Sequence, residues 1–159
     1  MAELNSAQIV EYFSRSYTAA DGLWFMKVEE KYGFDVALEV DDEVWKVLPK
    51  IQARLIKKFL DLKEGPAALL KGLKARLELE GFTFTAEKTS NGFRILVTDC
   101  PWHNLMIKSG REHLAEKVGK KICSTEYGVW ISELAKDTTF TLRSQKCGKS
   151  DCCILEFVS

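Results

Sequence analysis

Long apolar runs are missing from this sequence, and with them the ~18-residue stretch that a membrane-spanning helix needs. Net charge is missing as well. The 23 Lys and Arg balance 23 Asp and Glu, so neither nucleic acid nor an anionic membrane is expected as a partner, since both select a positive surface. With 10 glycines and 3 prolines, a linker-rich or collagen-like chain is excluded. No phosphate loop, dinucleotide fingerprint or Ser-centred nucleophile elbow occurs, because Gly110, Gly119 and Gly128 stand alone. The first residues carry Glu3 and Glu11 and lack a basic start and an apolar core. No secretory signal is expected there, and the expected location is the cytoplasm. What remains is ordinary: 159 residues, 46% hydrophobic and 29% charged, the composition of one globular domain.

The first half reads as helix. Asn5 or Ser6 caps a helix through Ile9, Val10 and Phe13 toward Tyr17, and Asp21 caps a second one that stops at Gly33. Residues 35–43 hold Asp35, Glu39, Asp41, Asp42 and Glu43 without a base, which reads as a solvated acidic turn. Trp24, Phe25, Tyr32, Phe34 and Trp45 flank it, either as a pocket wall or as a helix–helix core edge. Asp41 or Asp42 then caps a helix whose apolar positions Val44, Leu48, Ile51, Leu55, Phe59 and Leu62 share one face. Pro49 either kinks that helix or begins its main segment. Pro66 opens another, with Leu69, Leu70, Leu73 and Leu77 on one stripe.

After Gly81 the period changes from 3.6 to 2. Residues 82–86 alternate, Asn91-Gly92 signals a hairpin, and Phe93, Ile95 and Val97 return. Pro101 opens a helix expected to end at Gly119, and Ser124 or Thr125 caps the next. Residues 139–142 and 153–158 supply two further strands. Two hairpins without long crossovers imply an antiparallel four-stranded sheet covered by helices. The expected class is therefore α+β in a single domain, residues 1–159, helical over residues 1–81 and mixed sheet and helix over residues 82–159.

Cysteine is the unusual residue. All 5 fall after residue 99: Cys100, Cys123, Cys147, Cys152 and Cys153. An odd number in a cytoplasmic chain does not read as a disulfide framework. Cys100 lies at a strand-to-helix turn, with His103 three residues on along the same helix face. Cys147 and Cys152 flank a short loop. Cys153 must point away from Cys152 and alternates with Leu155 and Phe157, so it reads as a packing residue. Cys100, Cys123, Cys147, Cys152 and His103 are the candidate soft-metal ligands, for zinc or an iron–sulfur cluster. Alternatively Cys100 is a catalytic thiol at a helix N-terminus, with His103 or His113 as base. Packing is the third reading of these cysteines. Arg111, among Lys108, Lys117, Lys120 and Lys121, reads as a carboxylate clamp or a member of a solvated basic face.

Four blocks carry a resemblance over nearly the whole chain: residues 21–25, 28–35, Cys100-Pro101-Trp102-His103 and 108–112. They resemble an uncharacterised family of small cytosolic proteins from anaerobic bacteria and archaea. The Cys147-Gly148 and Cys152 pattern before the last strand is also similar to the 4-vinyl reductase domain and to L-2-amino-thiazoline-4-carboxylate hydrolases. These resemblances imply a helix-rich front before a sheet, and the vinyl reductase likeness implies a small-molecule-binding role. The expected function is a domain that binds a small molecule or a metal centre at a cysteine-lined pocket. A cysteine- or metal-dependent hydrolase acting on a small molecule, and a homodimerisation module, stand beside it.

Overall fold

The computed structural model describes residues 3–159. The chain divides into two compact units, one ending at Asp41 and the other Asp42–Ser159. The helices just before the sheet belong to the second unit and share the sheet's core.

In the first unit, α1 spans Ser6–Tyr32 as one helix. Asn5 accepts from the Gln8 amide, and Gln8 accepts from the Asn5 amide, both at 2.9 Å, a reciprocal cap. The helix runs straight through Asp21, which caps nothing: no proline interrupts 6–32, and one capped start propagates. Gly33 ends it as expected, at φ 88°. The acidic segment is not a turn. It lies in α2, Phe34–Trp45.

In the second unit, α3 is Leu48–Phe59 and begins with Pro49 in its first turn. Its core face is Pro49, Ala53 and Ile56. The stripe read as core, Ile51, Leu55 and Phe59, is exposed. Helix α4, Pro66–Leu79, buries Leu69, Leu73 and Leu77 as its spacing requires. Then β1 (Thr83–Thr89) and β2 (Gly92–Asp99) form a hairpin, followed by α5 (Pro101–Lys108), α6 (Glu112–Leu134), β3 (Thr139–Ser144) and β4 (Cys153–Val158). The sheet is antiparallel with order β1-β2-β4-β3. The α+β class and the four antiparallel strands are as expected. Among the described residues no helix is long and apolar enough to cross a membrane.

One sheet face packs on the helices. Phe93, Ile95 and Val97 of β2 and Leu155 and Phe157 of β4 meet Ala53, Ile56, Leu69, Leu73, Leu77, Tyr127, Trp130 and Leu134. Phe93 stacks on Phe157 at 4.6 Å between ring centres, and Tyr127 and Phe140 close around them. On the other face Glu156 is gripped by Arg94 and Arg143, its neighbours on β2 and β3.

Two glycines have roles that the sequence pattern hides. The hairpin turn is Ser90–Asn91, since Thr89 pairs with Gly92, and Gly92 is not left-handed. A Cβ there would sit 1.9 Å from the Phe157 carbonyl oxygen. Gly92→Ala must therefore push β2 from β4, and a loss on the order of 3 kcal/mol is expected in denaturant melts. A loss below about 0.5 kcal/mol would contradict the close approach. The other glycine is Gly119, the expected helix stop, which lies inside α6. The real break is at Gly110, φ 71°, where the Arg111 amide bonds back to the Met106 carbonyl at 2.8 Å. Gly119 admits the following loop instead: a Cβ would stand 2.6 Å from Gln145 Nε2 and 3.7 Å from Cys147 Sγ.

Candidate functional site

The site grows from one face of α6. Glu116, Gly119, Cys123, Glu126 and Trp130 recur every three or four residues, so they lie along one stripe. Over Gly119 rests the 3-10 turn Lys146–Gly148, which brings Cys147 to that stripe. Its position is held by the Gln145 side chain on the Glu116 carbonyl, 3.1 Å, and by the Lys146 amide on Cys153 Sγ, 3.2 Å. Cys153 begins β4 opposite Val97, and three residues beyond Val97 the chain reaches Cys100, the N-cap of α5.

Thiols from four places lie within electrostatic reach of one another: the end of β2, the middle of α6, the 145–148 loop and the start of β4. Each lies in the electrostatic field of others. Burial raises Cys123 well above the usual thiol range, and Glu126, Cys100, Cys153 and Cys147 raise it further. Burial pushes Cys147 up to about 12, with Cys100 and Cys153 adding to it. Cys153 is also raised, first by burial. Cys100, Cys123 and Cys153 pack against the apolar core.

Of the adjacent pair, Cys153 opens β4 on the face that carries Leu155 and Phe157 and packs against the core, while Cys152 precedes the strand. The nucleophile reading of Cys100 meets a physical obstacle. The amides of His103 and Trp102 pull its pKa down, but burial outweighs them and leaves it at about 11. His103 is 7% exposed, and its Nδ1 is buried with no hydrogen-bond partner among the described residues. As the side chains stand, no three His, Cys, Asp or Glu among the described residues are close enough together to hold a metal ion.

Beside the thiols lies a charge network that sequence reasoning missed. Arg76 of α4, 3% exposed, places Nη2 2.6 Å from Glu126 and 2.7 Å from Glu80. Its guanidinium covers the Phe82 ring at 5.1 Å. It also acts on Cys100, lowering that thiol's pKa. The available signal was a charged residue among the buried positions of α4, between Leu73 and Leu77. Buried ions of this kind are costly unless paired, and they cluster where function is.

Glu126 has its pKa raised to about 7, by burial first, against Arg76 and with Glu80. Its folded value exceeds its unfolded one of about 4.5. The stability it confers is therefore complete below about pH 4.5 and is lost as pH rises through about 7. Glu126→Gln should remove that falling limb from a stability–pH profile. The size at stake is on the order of 3 kcal/mol. A profile with the same slope in both proteins would place the titration elsewhere.

Of the other candidate aromatics, several pack against neighbouring rings or the core. Trp45 meets Trp102 edge to face at 5.7 Å, Phe25 meets Phe34 at 5.9 Å, and Trp130 is fully buried. Trp24 and Tyr32 are exposed.

The chain belongs to a family of unknown function, DUF6125, whose model matches residues 2–157. No curated protein and no solved structure is detectably similar to it.

Proposed function

We propose that this member of DUF6125 is a cytoplasmic binding domain whose guest is a soft metal centre, zinc or an iron–sulfur cluster, held by Cys100, Cys123, Cys147 and Cys153. The observation that carries this reading is that thiols from four chain segments lie within electrostatic reach of one another. Core packing alone gives no reason for sulfur at all four. The orphaned Nδ1 of buried His103 supports it, since a buried nitrogen without a partner is costly until something binds it. Uptake requires the donors to draw together from their present spacing. The 145–148 loop, followed by left-handed Lys149 at φ 72°, is the segment outside strand and α-helix that carries one of them. Thiolates are the soft ligands such centres select.

A likeness of residues 147–152 to the 4-vinyl reductase domain would agree with a binding role. A cysteine-dependent hydrolase would ask for a thiolate near neutral pH, and burial moves Cys100 the other way. Metal content and visible absorption of anaerobically purified protein test the proposal. Cys100→Ser and Cys147→Ser should each lose the metal, while Cys152→Ser, at a position before β4, should keep it. Unchanged stoichiometry in both of the first two removes it.

A further inference from the structure

A groove separate from the thiols runs between α6 and β3, with a volume of about 750 Å³. One wall is Glu116, Lys120, Ser124 and Gly128, a residue every turn of α6, over ~18 Å of helix. The other wall is every residue from Thr138 to Gln145. Alternate residues of a strand face opposite ways. An unbroken run of lining residues therefore means that the strand's edge, not one of its faces, forms the wall. Strand β3 is terminal in the sheet and pairs only with β4, so that edge presents unpaired backbone donors and acceptors.

Gly128 is an independent sign. Among helical glycines of this unit, a Cβ on Gly72 would crowd Leu134 at 3.1 Å, and one on Gly119 would crowd the Gln145 side chain at 2.6 Å. A Cβ on Gly128 would meet nothing within 4 Å. Glycine is a poor helix former, and nothing in the chain's own packing accounts for it here. Close approach of an outside backbone does.

We propose that this groove accepts an extended peptide segment of another protein as a fifth strand beside β3. The groove's charges set the partner's chemistry. Lys120 stands on the helical wall, and the Glu116 carboxylate sits at the loop end beside Gly148. The segment carries an acidic residue at the Lys120 level and none at the Glu116 level. Thr139–Leu142, before the register shift at Leu142/Ser144, is the stretch of edge that pairs.

The test is a displayed library of random dodecapeptides, selected on the full chain after subtraction on Gly128→Phe, which puts a bulky side chain into the groove from a position where a Cβ meets nothing within 4 Å. Alternating β-branched sequences with an acidic residue should be enriched. A synthetic copy of a selected peptide should protect β3 amides from hydrogen exchange and bind at least ~10-fold more weakly to Lys120→Glu. Three results would overturn the proposal. One is that no peptide survives subtraction. Another is protection that maps away from β3. The last is a wild-type dimer in sedimentation that Gly128→Phe splits, which would assign the edge to a second copy of the chain.

Discussion

Zinc affinity measured by chelator competition should rise at least ~100-fold for each unit of pH near neutrality. Each thiol that becomes a ligand gives up a proton, and a thiol with its pKa far above the working pH contributes one full decade per pH unit. Cys100 at about 11 and Cys147 at about 12 are fully protonated there, and Cys123 is raised as well. Two such ligands give the stated slope, and more give a steeper one. Cys123→Ser should reduce both affinity and slope. Its affinity loss should exceed the ~10–100-fold that removal of a merely supporting group costs. Cys152→Ser should change neither. A pH-independent affinity would mean that zinc binds carboxylates or exposed groups and leaves the thiols untouched.

Arg76→Met should be the most damaging single substitution outside the apolar core. It leaves Glu80 and Glu126 side by side without their cation, and breaking a buried ion pair from one side costs about 3–5 kcal/mol. The loss has a pH signature. It should be largest at pH 8, where Glu126 is ionised, and should shrink toward pH 5, where that carboxyl holds its proton. The triple change Arg76→Met, Glu80→Gln, Glu126→Gln should recover most of the stability, because no buried charge is left unpaired. Loss of equal size at both pH values would assign the effect to the packing of Arg76 over Phe82 rather than to charge.

Local signals were legible where one chemical reason had one structural outcome. Gly33 and Pro66 end and begin helices because a positive φ and a fixed φ allow little else. The period change after Gly81 located β1 and β2, and separate short runs at 139–142 and 153–158 located β3 and β4. The α6 boundaries were not legible. Gly119 looks like a stop, yet its glycine serves an approaching loop from 26 residues further on, which no local pattern records. Asp21 looks like a cap, but a helix already started from Asn5 simply continues. The site was half legible. Period 2 puts Cys152 and Cys153 on opposite sides, and register against Val97 places Cys153 on the core side. Register is a long-range property. Arg76 and Glu126 were missed because each looks like an ordinary helix charge until α4 and α6 pack together.

Cobalt loading of the reduced protein is the sharpest check on thiolate ligation, because sulfur-to-cobalt charge transfer reports the thiolate ligands themselves. An intense near-ultraviolet band is expected in the wild type and in Cys152→Ser, diminished in Cys100→Ser, Cys123→Ser, Cys147→Ser and Cys153→Ser. Absence of that band in the folded wild type, or equal intensity in all five variants, would leave four half-buried thiols that merely fill space.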